Sequence, residues 1–204
     1  MTAEGEDLLT TGRSLYKQAR QDLEARGPSS EAERKLREAH VALRSAMNWL
    51  EDSQLFHDAH RLLDEAGALA RNEFPTGCHL AYENSTYFQR CPVALAHSRV
   101  AFSPEFLVRD AECSICHADY RNCDHVPGLT YGGEECRRVI TRLDILDFML
   151  VERPAAPDAR IQEISIETSR LAQSLGADFH PGIPVLCDRC LSPCEGVARP
   201  FNEG

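Results

Sequence analysis

Three thiols and a terminal imidazole, with a second histidine at 117, fall within the thirteen residues "CSICHADYRNCDH", 113–125. A segment so polar has little apolar surface to bury, so it holds a fixed shape only if something other than hydrophobic packing ties it together. Two cysteines separated by two residues supply two corners of a tetrahedron from one tight turn. Cys113 and Cys116 form such a knuckle, Cys123 and His125 add a second pair, and Cys136 follows as the substitute if either Cys123 or His125 stands back from the ion. A structural zinc site is expected here.

The chain carries nine cysteines in 204 residues, and its start, "MTAEGEDLLTTG", has neither the basic nor the apolar region of a secretion signal. A cytoplasmic protein is expected, in which thiols stay reduced and an odd number could not pair completely. Metal ligation is therefore the better reading. A thioredoxin-like role would need a helix to begin after Cys116, and "HADYRNC" is a poor helix start. A lone nucleophilic thiol is disfavoured because its neighbours would compete for metal, and the histidine among the donors argues against an iron–sulfur cluster.

A second set lies elsewhere. Cys187, Cys190 and Cys194 cluster in the tail, while Cys78, Cys91 and His97 offer partners upstream. A second zinc joining Cys78 and Cys91 to Cys187 and Cys190 would staple the tail to the start of the cysteine-bearing region. Neither set shows the H-E-x-x-H motif or the zinc-deaminase pattern that goes with an open catalytic position. Zinc is expected to replace core rather than to do chemistry.

Residues 5–72 read as helices. Leu8, Leu15, Ala19 and Leu23 share a face that Gly27-Pro28 ends. Ser30 and Glu33 form a capping box before Leu36, Ala39, Leu43, Met47 and Leu50, and Asp52 or Ser53 could cap a third helix carrying Phe56, Ala59, Leu63, Ala66 and Ala70. His57 and His60 are three apart and could face one metal, although solvated histidines on a charged surface explain them more cheaply.

From Cys78 the pattern turns to strands. A hairpin is expected at Glu83-Asn84-Ser85, two short strands separated at Pro104, and a central strand or two pieces of strand in "RRVITRLDILDFMLVERP", where both faces are partly apolar. The expected fold class is α+β. A helical module, an antiparallel hairpin or three-helix bundle, spans 1–74, and a small zinc-stabilised β-rich domain with a cysteine-rich tail spans 75–204.

Charge and hydropathy remove other classes. A net charge of −10 argues against broad binding to nucleic acid, leaving only a local patch such as Arg137, Arg138 and Arg142. No run of eighteen apolar residues suggests a membrane span. The phosphate-binding and esterase motifs G-x-x-x-x-G-K-[ST], G-x-G-x-x-G and G-x-S-x-G are absent.

The stretch "CSICHADYRNCDHVPGLTYGGEEC" resembles a cysteine-rich module of uncharacterised bacterial proteins and of some tailed-phage prohead proteases, and "ILDFMLVERPAAPDARI" is similar to the segment closing that protease fold. The resemblance covers residues 93–166. It would place a nucleophile at Ser103 in "FSPEF", with His97 as a partner, but Pro104 and Glu105 stand where the family has small residues. It thus implies kinship of fold more than retained proteolysis. "CPVALAHSRV" and "PGIPVLCDRCLSPC" resemble an uncharacterised actinobacterial family, which brings no activity with it. The expectation is a non-enzymatic scaffold or adaptor whose N-terminal helices engage a protein partner, with a phage-related or phage-defence setting implied by the resemblance alone. A diverged serine protease and a nucleic-acid-binding zinc module are the alternatives.

Overall fold

The computed structural model describes residues 2–198. The chain forms two compact units, one built from residues 1–101 and 151–204 and the other from 102–150. The fold is α+β: three N-terminal helices are followed by small β-sheets.

In the first unit, helices α1 (Thr2–Arg26), α2 (Ser30–Trp49) and α3 (Leu55–Glu73) are joined by short connections that make sequence neighbours pack side by side. Helix α2 lies against both of the others, burying Leu36, Ala39, Leu43, Ala46 and Met47 at three- and four-residue steps. The α1 face that meets it is Gly5, Leu9, Gly12, Tyr16 and Ala19, and the expected Leu8, Leu15 and Leu23 flank this line half-buried. The two glycines explain the rotation. A Cβ on Gly12 would come within 2.6 Å of Leu43 Cγ, and one on Gly5 within 2.7 Å of Leu50 Cγ, so the backbones approach where side chains are missing. The α2 cap is Ser29 rather than Ser30, its Oγ accepting from the Ala32 N–H at 3.2 Å. At the start of α3, Ser53 Oγ accepts from the Leu55 N–H at 3.2 Å.

Strands β1 (Ala81–Glu83) and β2 (Thr86–Gln89) form the expected hairpin, with Asn84 and Ser85 both at positive φ as a primed two-residue turn requires. Among the named strands the sheet is completed by β7 (Ile164–Ile166), antiparallel to β2. Tyr87 of β2 is fully buried; its hydroxyl donates to the Ile183 carbonyl at 2.8 Å and accepts from the Gly182 N–H at 2.9 Å.

The boundary at 74/75 expected from the change of pattern is not where the compact units divide, because α2 has a second, polar task. Arg44 donates to Gln162 Oε1 (2.8 Å) and the Ile161 carbonyl (2.5 Å), while Asn48 and Trp49 donate to the Asp158 carboxylate at 3.2 and 2.9 Å. Below them, the Glu51 carboxylate takes both Arg99, at 3.1 Å, and Arg160. All three side chains of this triad are at least nine-tenths buried. Val93 and Ala96 of the short helix α4 (Pro92–Ala96) join the helical core itself.

The second unit is built on β3 (Ala101–Cys113) and β6 (Arg138–Val151), paired as a two-stranded ribbon. Its cross-strand ion pairs, Arg109 with Asp144 at 2.6 Å and Arg142 with Asp110 at 2.9 Å, run in opposite senses along the two strands, as in an antiparallel pairing. Two expectations change here. Pro104 lies inside one continuous strand, tolerable because a ribbon strand has an edge that needs no donor. The "central" strand β6 has no second neighbour among the described strands, and its apolar residues on both faces are exposed.

Removing one member of a buried charge cluster leaves the rest desolvated without their partner, at a cost of about 3–5 kcal/mol. Glu51→Ala should therefore lower unfolding free energy by about that amount in a urea titration. Gly12→Val should destabilise by about 1–3 kcal/mol in the same assay, despite removing a glycine from a helix.

Candidate metal centre

The loop closing the ribbon, residues 114–137, is organised around sulfur. The chain leaves β3 at Cys113, and a tight turn follows in which the Ile115 N–H donates to Cys113 Sγ at 3.4 Å and the His117 N–H to the Cys113 carbonyl at 2.9 Å. His117 sits at φ 57°, the position that lets the chain double back after the second cysteine. The next turn repeats the device, with the His125 N–H donating to Cys123 Sγ at 3.3 Å. A minimal hairpin, β4 (Thr130–Tyr131) and β5 (Glu134–Glu135), turns at Gly132-Gly133, both at positive φ, and returns the chain to Cys136. The Cys136 N–H donates to the Leu129 carbonyl and the Gly128 N–H to the Cys136 carbonyl, each at 2.8 Å.

These turns bring Cys113, Cys116, Cys123 and His125 together so that one donor atom from each lies within 4.8 Å of all the others. Cys116 and Cys123 sulfurs are 3.4 Å apart, and Cys123 Sγ is 3.2 Å from His125 Nδ1. Cys136 Sγ is 3.8 Å from Cys113 Sγ. Metal–sulfur bonds of about 2.3 Å in a tetrahedron put sulfurs about 3.8 Å apart, so the group fits a metal ion with modest adjustment. Cys136 stands beside the buried end of the cluster, as the spacing suggested. The His125 ring is held edge-on to Tyr131, centroids 4.5 Å apart, while Tyr131 Oη accepts from the Val126 N–H at 3.0 Å.

The electrostatics favour ionising one thiol and resist a second. Burial opposes the Cys113 thiolate, yet the Cys116 and Ile115 N–H groups and the thiols of Cys123 and Cys136 hold its pKa down to about 6. The His125 N–H alone would lower Cys123, but burial and the thiols of Cys116 and Cys113 lift it to about 11. Several thiolates at this spacing need a cation among them, and metal binding supplies it while releasing their protons.

The tail cysteines divide. The Cys187 N–H donates to the Cys78 carbonyl at 2.8 Å and His79 bridges to Leu186, so the tail is stapled to the hairpin region by backbone pairing. A hydrogen bond from Cys91 holds the Cys187 thiol down to about 6 against burial, with the Gln89 amide donating to the same sulfur at 3.1 Å. Burial pushes Cys190 up to about 11, helped by Cys187 and Cys78. Cys78 receives Arg37 at 3.7 Å. The four sulfurs are neighbours but do not form one mutually close donor set. Cys194 is drawn away from them, its Sγ 3.2 Å from His97 Nε2. His97 is buried at the end of α4 with Nδ1 2.6 Å from the Val93 carbonyl. Ser103, the other half of the protease reading, lies half-buried on β3 in the second unit. Arg137, Arg138 and Arg142 lie beside the loop; Arg137 pairs with Glu135 at 3.7 Å, Arg138 stacks on Tyr120 and Arg142 pairs with Asp110, so each of the three cations has a local partner.

No family model, curated protein or solved structure matches this chain. No described helix is long and apolar enough to cross a membrane.

Replacing Cys116 and Cys123 together by Ser should remove one metal ion per chain and open the 114–137 loop. Metal analysis with limited proteolysis checks both, and strong chelation of the wild type should reproduce the cleavage pattern.

Proposed function

We propose that this protein is a zinc-stabilised adaptor or scaffold, not an enzyme, and that the β3–β6 ribbon is where it docks a protein partner. Zinc is the ion best matched to a compact set of thiolates and an imidazole. With four protein donors around it no coordination position is left for substrate, so its role is to shape the loop that closes the ribbon.

The observation that carries the docking surface is exposure. Among the described residues, eleven of the nineteen large apolar side chains that are strongly exposed lie on β3 and β6, including Phe106, Ile145, Leu146 and Phe148 at 46–60%. Soluble chains seldom leave so many large apolar side chains of one element uncovered without using them. The ribbon also has strand edges not paired with any other named strand, so a partner segment could add a strand and cover the side chains in the same step. The N-terminal helices are the weaker choice. Their outward sides are laced with ion pairs, such as Arg34 with Glu31 and Glu38 and Arg61 with Glu65, and their apolar faces are spent on one another.

Ile145→Lys with Phe148→Lys changes two residues that are more than half exposed, so stability should stay within about 0.5 kcal/mol. The variant should lose the partner that the tagged wild type retains in its native host. In the wild-type complex, amide exchange should slow across 139–150. Equal recovery of partner by the variant, or unchanged exchange in that segment, would remove the ribbon from the reading.

A further inference from the structure

We propose a second metal centre, formed by His60, Asp64, His97 and Cys194, that takes a zinc-class divalent ion and fastens the tail to α3. It shares no residue with the Cys113 group and does not depend on the adaptor reading.

His60 and Asp64 are four residues apart on α3 and so share one face. His97 comes from the end of α4, and Cys194 from the irregular tail. Their donor atoms all lie within 4.8 Å of one another. The two histidine Nε2 atoms are 2.9 Å apart; Asp64 oxygens lie 3.2 Å from His60 Nε2 and 3.0 Å from His97 Nε2. Cys194 Sγ is 3.2 Å from His97 Nε2 and 3.4 Å from His60 Nε2. A tetrahedral zinc site has edges of about 3.3 Å between nitrogens or oxygens and about 3.5 Å from nitrogen to sulfur. The group is close to that size and offers two imidazoles, a carboxylate and a thiol.

The orientation of the donors points the same way. The Val93 carbonyl can only accept, so His97 Nδ1 carries the hydrogen of that bond and Nε2 is the ring nitrogen turned to the centre. His60 Nε2, the Asp64 carboxylate and Cys194 Sγ meet it there, and Cys194 also meets Asp64, so every pair among the four residues is in contact, a convergence that suits ligands of one cation. The outer contacts suit ligands. The Val93 carbonyl fixes the orientation of His97, and the Gly196 N–H (3.2 Å) and Arg189 guanidinium (3.0 Å) donate to Cys194 Sγ, against the burial and the Asp64 carboxylate that push its thiol up. A pocket of about 250 Å³ bordered by Asp64, Arg189 and Cys194 gives the ion a way in.

The test counts ions by native mass spectrometry on the full chain: wild type, Cys194→Ser, and Cys116→Ser with Cys123→Ser. Cys194 is exposed, so its loss as a ligand can be read without unfolding the helices. Under a competing chelator, Cys194→Ser should lose one ion with at least about tenfold weaker binding at that site. The Cys116/Cys123 variant should lose a different one, and the triple variant both. Cobalt loaded into the Cys116/Cys123 variant should give a sulfur-to-cobalt charge-transfer band that vanishes on adding Cys194→Ser. An ion count and affinity unchanged by Cys194→Ser would overturn the site, as would a triple variant that loses no more than the Cys116/Cys123 variant.

Discussion

The Glu51 carboxylate, held between Arg99 and Arg160, is where three distant parts of the chain meet. It follows α2, Arg99 follows α4, and Arg160 precedes β7. Each of these segments would otherwise leave a polar loop against the helices. Desolvating three charges is costly, and the cost is recovered only when all are together with their hydrogen bonds, as with Arg99 donating to Asn48 Oδ1 at 3.0 Å. That all-or-none character makes the triad a device for register. A one-residue slip of 158–162 along α2 would strand Arg160 and detach Asp158 from Trp49 as well. Helical packing supplies the bulk of the stability of this unit, and the triad decides where the returning chain lies on it.

The second unit depends on a different constraint. Neither of the two apolar clusters of the structure contains a residue from 102–150, and Ala111, Cys113 and Cys136 are its buried apolar residues. The interior of this unit is therefore mostly sulfur. Without a cation, the pKa pattern of Cys113 and Cys123 keeps the thiols from ionising together, so the loop lacks the attraction that would hold its turns. Metal affinity and folding of the loop are then one free energy. The same unit can afford apolar ribbon faces open to solvent because its own shape does not rely on burying them.

Local chemistry was legible in the sequence, and long-range chemistry was not. The knuckle at Cys113 and Cys116, the nearby Cys136, the hairpin at Asn84-Ser85 and the helix-forming stretches are all set by spacings of a few residues. The apolar pattern of β6 was equally visible, but periodicity reports which side chains are apolar and not whether anything covers them, so it read as a buried central strand. His60 was noticed beside His57, three positions away, yet the pair that forms is His60 with Asp64. His57 is exposed, and what selects the other turn is the arrival of His97 and Cys194 from 37 and 134 residues away. The glycine line of α1 was hidden for a related reason. A hydrophobic face is recognised by large residues, whereas Gly5 and Gly12 matter by their absence of side chain.

The two donor clusters differ most in the loops they close. Even counted out to Cys136, which stands beside it, the first cluster closes a loop of only 23 positions from Cys113, whereas His60 and Cys194 are separated by 134. Closing the longer loop costs about 1.6 kcal/mol more in chain entropy, a factor of roughly fifteen in equilibrium. The local cluster can therefore assemble from its own segment, while the His60 cluster must wait until α3 and α4 are packed and the backbone pairing at Cys78 and Cys187 has already brought the tail near. Once Cys187 is in place, Cys194 is only seven residues further on, so most of the entropy of the long loop has been spent by the sheet. The order of assembly that follows is helices first, then the hairpin with β7 and the tail pairing, and last the contact between Cys194 and the face of α3.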